Sequence, residues 1–159
     1  MNQNTKEFFM SEAIRLAKEN VITGNGGPFG AVIVKNGEII ATGVNSVTSS
    51  NDPTAHAEVS AIRNACKKLN SFQLDSCEIY SSCEPCPMCL GAIYWARPQK
   101  LYFACTKTDA ANIGFDDSFI YEEINTGFDK RKIQSENIFR EEGLEAFQEW
   151  KAKDDKIEY

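Results

Sequence analysis

The sequence predicts an α/β fold in a single domain over residues 1–159, and three observations carry that prediction. Short apolar runs typical of strands alternate with longer amphipathic stretches typical of helices, an order that favours a sheet with parallel pairing. Two adjacent apolar runs are joined by Asn36-Gly37, the dipeptide most typical of a tight β-hairpin. A length of 159 residues suits one domain and is too short for two ordinary ones.

Each element follows from its local pattern. Phe9, Ala13 and Ala17 recur at helical spacing, so residues 5–22 are predicted to form an amphipathic first helix. The hairpin strands are predicted over residues 29–35 and 38–44. The later elements are predicted in this order: a loop over 45–53, a helix over 54–69 with Asp52 or Thr54 as its cap, a strand over 77–82, a helix over 87–96, a strand over 100–104, helical pieces near 108–112 and 117–124, a weak strand near 131–139, and a helix from 141 to about 153.

Composition and charge exclude several classes of protein. The chain has 17 basic and 23 acidic residues, with a net charge of −6. Nucleic-acid affinity depends mainly on clustered Lys and Arg, so no nucleic-acid partner is expected. No apolar run approaches the roughly 18 residues of a membrane span and no signal-peptide pattern is present, so we expect a cytoplasmic protein without a membrane partner. The cytosol keeps thiols reduced, so the six cysteines are expected to be metal ligands or buried thiols.

One group of residues carries a recognisable chemistry. The single histidine, His56, lies two residues before Glu58, and the segment Pro85-Cys86-Pro87-Met88-Cys89 follows later in the chain. Together they complete the pattern H-x-E…P-C-x-x-C that is typical of zinc-dependent deaminases. A lone histidine near a helix start is more often structural or solvated, so it is the combination that indicates a metal site.

The spacing has a physical basis. Pro87 suits the first turn of a helix, where its missing N–H costs nothing. Cys86 and Cys89 then project from one helix start and can bind one ion, with His56 as the third ligand and water in the fourth position of a tetrahedral zinc. Two thiolates neutralise the ion, so the water needs a base, and Glu58 is the candidate. His56 and Glu58 converge only if both extend from the first turn of their helix.

Cys83 leaves other interpretations open. Cys83 and Cys86 form a second C-x-x-C, which is also typical of a redox site, although that site would leave His56, Glu58 and Cys89 unexplained. Cys83 could instead be the fourth ligand of a structural zinc, a site that has no need of Glu58. A third alternative is an inactive interaction protein with the same fold. The simplest role for Cys83 is to end its strand and to pack beneath the pocket.

The residues around this pattern resemble the cytidine deaminase superfamily of zinc deaminases and, within it, the bacterial guanine deaminases. The resemblance is dense over residues 24–124, fades over 125–157 and returns at Tyr159. It is carried by the segments GGPFGAVIVKNGEIIATGVN, SNDPTAHAEVSAIRNACKKL, SCEPCPMCLGAIYWARP and TDAANIGFDDSFIYEEI.

The resemblance implies a fold, a reaction and an assembly. The fold is a three-layer α/β/α arrangement in which helices cover both faces of a central five-stranded mixed sheet. The reaction is the hydrolysis of guanine to xanthine and ammonia at one zinc ion per chain, with Glu58 moving the proton of the water to the ring nitrogen and the leaving amine. The assembly is a homodimer in which the C-terminal tail, about residues 140–159, closes the active site of the partner.

The resemblance also implies a set of substrate contacts. They are Phe29 for stacking, Asn45 and Asp117 for hydrogen bonds, the Ala57 backbone N–H as a donor, Trp95 for pocket shape, and Tyr159 in the closing tail. Phe29 and Trp95 would be core residues in most proteins, and Asn45 is equally typical of a turn. Whether Asp116 or Asp117 faces the pocket is open from the sequence, as is the role of Glu84 beside the metal segment.

Other substrates fit the same zinc chemistry. The tRNA adenosine deaminases share both motifs, but they bind an RNA backbone, which the charge of −6 disfavours. Guanosine, cytosine and an aminotriazine are further alternatives, because small changes of hydrogen bonding in a polar pocket change specificity by large factors.

Overall fold

The computed structural model describes residues 5–159, in two compact units that meet between Asp117 and Ser118 along the chain. The first unit contains α1 (Lys6–Ile22), β1 (Gly30–Lys35), β2 (Glu38–Val44), α2 (Val47–Ser50), α3 (Ala57–Leu69), β3 (Cys77–Cys83), α4 (Pro87–Ala96), β4 (Lys100–Cys105) and α5 (Lys107–Ala111). The second unit contains α6 (Ser118–Asn125), a 3₁₀ turn at Phe128–Lys130, and α7 (Arg140–Ala152).

The strands form one mixed sheet in the order β2-β1-β3-β4. β1 is antiparallel to both β2 and β3, whereas β3 and β4 are parallel, which confirms the predicted parallel pairing. The predicted hairpin turn is also confirmed. Asn36 and Gly37 both have positive φ, 53° and 78°, the conformation that the tightest hairpin turns require.

The sheet has four strands within residues 5–159, not five. The weak strand predicted near 131–139 is wrong: this segment joins no sheet, and its first residues bond to the end of α6 and the residue after it. The Arg131 guanidinium donates to the backbone carbonyls of Ile124 and Thr126, and the Lys132 N–H donates to the Glu123 carboxylate at 2.9 Å. Backbone groups bonded in this way do not join a ladder.

Helices cover both faces of the sheet, so the three-layer arrangement is confirmed for the first unit. Side chains alternate along β1: Val32 and Val34 pack with Phe9 and Ala13 of α1, whereas Ile33 joins the cluster on the opposite face. That second cluster contains Ala57 and Ala61 of α3 and Ile93 and Ala96 of α4. A strand buried on both faces shows a continuous apolar run, as β1 does.

The start of α3 lies unusually close to β2. A Cβ atom at Gly43 would overlap the carbonyl oxygen of Ala57 and the backbone nitrogen of Ala61. Only glycine allows this approach, which fixes the first turn of α3 against the sheet. His56 and Glu58 flank this contact, so the packing of Gly43 helps to position them.

The second unit buries none of the side chains in its two α-helices. Phe147, Trp150 and Ile157 are all exposed. Within residues 5–159, every helix is too short or too polar to span a membrane.

Candidate active site

Three predicted ligands meet in one place. His56, Cys86 and Cys89 each offer one ligand atom, and these atoms all lie within 4.8 Å of one another. The Nδ1 atom of His56 is 3.5 Å from each of the two sulfur atoms. Ordinary zinc bond lengths to sulfur and nitrogen at a tetrahedral angle require a separation of about 3.6 Å, so the donor set fits a zinc ion.

His56 reaches this cluster because it precedes α3 rather than belonging to it. It is the N-cap residue, with extended φ and ψ angles of −75° and 159°. Asp52 and Thr54, predicted as caps, do not have that role, since Asp52 instead accepts hydrogen bonds from the backbone N–H and the hydroxyl of Thr54. The helical spacing that would separate His56 from Glu58 therefore does not apply, and both side chains line the same cavity.

The two cysteines project from the start of α4 as predicted. Cys86 is the N-cap, Pro87 is the first helical residue, and the Cys86 sulfur accepts the Cys89 backbone N–H at 3.5 Å. A hydrogen bond from the Cys89 thiol lowers the pKa of Cys86 to about 4, and contacts with His56 act in the same direction. The same bond and burial raise the pKa of Cys89. The pair thus holds one proton, which a bound cation must displace.

Glu58 lies deep beside these ligands. Its side chain is only 6% exposed, its Oε2 atom is 3.4 Å from the Cys89 sulfur, and its Oε1 atom accepts the Ser81 hydroxyl at 3.2 Å. Burial raises the pKa of the Glu58 carboxyl, and hydrogen bonds from its own backbone N–H, Cys89 and Ser81 oppose the rise. A carboxyl whose pKa moves toward neutrality suits a group that accepts a proton and returns it.

Cys83 and Glu84 do not join the metal cluster. Cys83 ends β3 and lines the cavity, and its thiol donates to the Thr106 carbonyl at 3.5 Å. Burial raises the pKa of Cys83 to about 11, so this thiol keeps its proton, unlike Cys86. The Glu84 carboxylate accepts the backbone N–H of Lys107 at 3.0 Å and so anchors the start of α5. Glu84, whose role the sequence left open, therefore has a backbone partner.

The cluster opens into a cavity of about 380 Å³ in the first unit. Its lining includes Gly27, Phe29, Asn45, Val47, Thr48, His56, Glu58, Cys83, Glu84, Cys86, Lys107, Ala110, Phe115, Asp116 and Asp117. A volume of this size lies in the range of small-molecule sites.

One wall of the cavity is aromatic. Phe29 lines it immediately before β1, and Phe115 meets the Phe29 ring edge to face at a centroid distance of 4.9 Å. Phe29 also packs against the core cluster, while its predicted stacking on a substrate stays a prediction. Such a pair presents a rigid apolar surface to a planar ring.

Asn45 is buried on the wall next to this pair, and its amide has a defined orientation. Its Oδ1 atom accepts the backbone N–H groups of Gly27 at 3.2 Å and Val47 at 3.4 Å. Asn20 supports the same loop, because its side-chain amide donates to the carbonyls of Gly27 and Asn45 at 2.8 Å each. With the oxygen held by backbone donors, the NH₂ of Asn45 is the end that can donate to a ligand.

Both candidate aspartates line the cavity, but they differ in depth. Asp117 is half-buried, whereas Asp116 is exposed. Burial and the negative charge of Cys86 raise the pKa of Asp117. Asp117 is therefore close enough to the ligands to interact with them electrostatically.

Three of the predicted substrate contacts are not among the residues that line the cavity. Ala57 is fully buried as the first residue of α3, where its backbone N–H has no helical acceptor. Trp95 is 65% exposed on α4 and is not among the lining residues of the cavity. Tyr159 belongs to the second unit and is 70% exposed.

Sequence reasoning missed Asn20, Ser81 and Phe115. Asn20 gave a usable signal, since it continues the buried face of α1 defined by Phe9, Ala13 and Ala17, where a polar residue needs a partner. No sequence pattern marks Ser81 or Phe115 as part of the site. Serine is common in strands, and an aromatic residue before two aspartates has no characteristic spacing from the metal motifs.

Comparison with known proteins agrees with this geometry. The model of the cytidine and deoxycytidylate deaminase zinc-binding region matches residues 3–105. Guanine deaminase from Bacillus subtilis is 59% identical over 153 residues, which is 96% of this chain and 98% of that protein. The X-ray structure of guanine deaminase from Bacillus subtilis superposes with a TM-score of 0.95 at 58% identity, covering 98% of this chain and 99% of that one.

A second kind of relative matches this chain at lower identity. A tRNA-specific adenosine deaminase from Aquifex aeolicus is 48% identical over 99 residues, which is 62% of this chain and 65% of that protein. A tRNA-specific adenosine deaminase from Buchnera aphidicola subsp. Schizaphis graminum matches 143 residues, 89% of this chain and 91% of that protein, but at 34% identity. Over a comparable length, the identity to the guanine deaminase is thus much higher.

Proposed function

This chain belongs to the cytidine and deoxycytidylate deaminase family, and on that premise we propose that it is a zinc-dependent hydrolase that deaminates guanine to xanthine and ammonia. The observation that carries the proposal is the 59% identity to guanine deaminase over 96% of the chain. The site is consistent with it, because a zinc-compatible set of His56, Cys86 and Cys89 adjoins a buried carboxylate.

The residues divide the chemical work. His56, Cys86 and Cys89 would hold the zinc ion, which would supply an activated water molecule as the nucleophile. Glu58 accepts one proton from that water and delivers it to the ring nitrogen. It then takes a second proton from the hydroxyl group added to the ring carbon and delivers it to the amine, which leaves as ammonia while the carbonyl forms. Burial favours the uptake of the proton, since it raises the pKa of the Glu58 carboxyl.

The cavity suits the groups that guanine presents. The Asn45 NH₂ can donate to an acceptor on the base, and the Asp117 carboxylate can accept from a ring N–H or an amino group. The Phe29 and Phe115 pair offers a surface for the purine face. The Ala57 N–H, at the start of α3, can donate to a further acceptor. A polar site of this kind rejects bases that leave its groups unpaired.

The carboxylates at the cavity also indicate what kind of molecule binds there. Glu84, Asp116 and Asp117 line it together with one basic residue, Lys107. This local charge has the same sign as the net charge of −6 and disfavours a phosphate backbone. We therefore propose a free nucleobase as substrate, with no nucleic-acid partner, in a single-domain protein of the cytoplasm.

The proposal includes a homodimer with exchanged C-terminal tails, residues about 140–159. Support comes from α7, which buries no side chain yet carries Phe147 and Trp150 exposed, because an apolar helix surface of this kind needs a covering partner. In such a dimer Tyr159 closes the site of the other chain. Trp95 is exposed on α4 and does not line the cavity of its own chain, so the role in pocket shape that we propose for it requires this dimer.

Mixed dimers test the exchange. A Glu58→Gln chain and a Tyr159→Ala chain are each expected to be poorly active, but their heterodimer pairs an intact Glu58 with the intact tail of the other chain. Co-expression with two affinity tags should therefore recover activity that neither variant shows alone. A heterodimer no more active than its parents would contradict the exchange, as would a monomeric mass in sedimentation equilibrium.

Ammonia release tests the reaction itself. Zinc-loaded protein is offered guanine, guanosine, cytosine, adenine, an aminotriazine and a tRNA anticodon stem-loop, with the Glu58→Gln variant as the blank. We expect guanine to give the highest kcat/KM. Faster turnover of another base would retain the zinc chemistry and refute the assigned substrate, whereas turnover of the stem-loop alone would favour a tRNA deaminase. No turnover of any of them would favour a structural zinc.

A further inference from the structure

Besides its own backbone N–H, the Glu58 carboxylate has two side-chain neighbours, one at each oxygen. The Ser81 hydroxyl lies 3.2 Å from Oε1, and the Cys89 sulfur lies 3.4 Å from Oε2. Ser81 is in β3 and is only 2% exposed, so water does not compete for this hydrogen bond. Oε1 is thus directed toward the sheet and Oε2 toward the metal ligands.

Ser81 and its neighbour Ser82 have opposite surroundings. Successive side chains of a strand point to opposite faces, so Ser81 faces α3 and the site, whereas Ser82 faces the α1 side. The Ser82 hydroxyl accepts the backbone N–H of Gly30 at 3.0 Å and is nearly as buried as Ser81. Two serines of similar burial therefore differ in one respect: only Ser81 contacts Glu58.

The orientation of the carboxylate matters for proton transfer. The terminal torsion of a glutamate is broad, so burial alone leaves the plane of the carboxylate free to turn. A hydrogen bond to one oxygen fixes that plane and the direction of the other oxygen. Misplacement of a reacting group by about 1 Å can cost a factor of roughly 100 in rate.

We propose that Ser81 is a positioning residue for the proton transfer: its hydroxyl holds Oε1 of Glu58, so that Oε2 faces the zinc site. Ser81 is itself neither one of the three metal-ligand residues nor a lining residue of the cavity, and it acts through Glu58. This inference rests on the proposed deaminase function, and it adds a residue that the H-x-E and P-C-x-x-C motifs do not contain.

Kinetics of three variants test the proposal. In zinc-loaded Ser81→Ala, kcat for guanine should fall by roughly 10- to 100-fold, with KM and zinc content unchanged. Ser81→Thr keeps the hydroxyl and should restore most of kcat. Ser82→Ala is the matched control, which loses a buried hydrogen bond of the same strand and should keep the kcat of the original chain. In a Glu58→Gln background, Ser81→Ala should cause no further loss, because the carboxylate it positions is gone.

A crystal structure of zinc-loaded Ser81→Ala gives a readout that needs no activity. We expect the Glu58 carboxylate to be rotated or to occupy two conformers. The proposal is overturned if that carboxylate keeps a single unchanged conformer, if Ser81→Ala retains full kcat, or if Ser82→Ala loses as much. If the original chain does not turn over guanine, the proposed function fails, and the crystal structure still decides the role of Ser81.

Discussion

Glu58→Gln is expected to lower kcat for guanine by roughly 10²- to 10⁴-fold, the range of general acid–base catalysis. The amide has the same shape as the carboxylate but cannot take up a proton at neutral pH. Because Glu58 is outside the His56, Cys86 and Cys89 set, the zinc content should stay at one ion per chain. Steady-state kinetics and atomic emission on the same sample measure both quantities.

The thermal stability of the Glu58→Gln variant is the control for its loss of activity. Glutamine at position 58 can still accept the Ser81 hydroxyl through its amide oxygen, so the midpoint of thermal unfolding should change little. Loss of activity together with loss of zinc would point to a structural defect rather than to a missing base. Full activity with zinc retained would refute the assignment of Glu58 and favour the structural-zinc alternative.

Cys86→Ala is expected to abolish activity by releasing the metal. Cys86 provides the thiolate whose pKa is lowered to about 4, and its sulfur is 3.5 Å from His56 Nδ1. With only two ligands left, zinc affinity should fall by more than about 100-fold. This loss exceeds the one expected when only a group that orients a ligand is removed. Zinc content after dialysis against a competing chelator measures the effect.

Cys83→Ala is the matched comparison for Cys86→Ala. Cys83 lies three residues earlier and lines the same cavity, but its thiol donates to the Thr106 carbonyl and keeps its proton. This variant should therefore retain zinc and most of its activity. Release of zinc by Cys83→Ala would mean that the ion has four protein ligands, which would leave no open position for water and contradict a catalytic site.

Local chemistry made most of the fold predictable. The Asn36-Gly37 hairpin, the start of α4 at Pro87 and the alternating elements each depend on interactions between residues close in sequence. The cap of α3 and the weak strand near 131–139 were not predictable in this way. At position 56 the cap residue is a predicted metal ligand whose side chain makes no capping hydrogen bond. Near 131, an arginine side chain bonds to backbone carbonyls close by in the chain.

The sequence by itself determined the donor set of this protein, because His56, Glu58, Cys86 and Cys89 are residue types whose spacing has one economical chemical interpretation. The tertiary structure decided which groups surround them. Ser81 reaches Glu58 from a strand 23 residues further along the chain, and Asn20 supports Asn45 from a helix 25 residues before it. Such contacts depend on strand order and helix packing, which join residues without any periodic relation in the sequence.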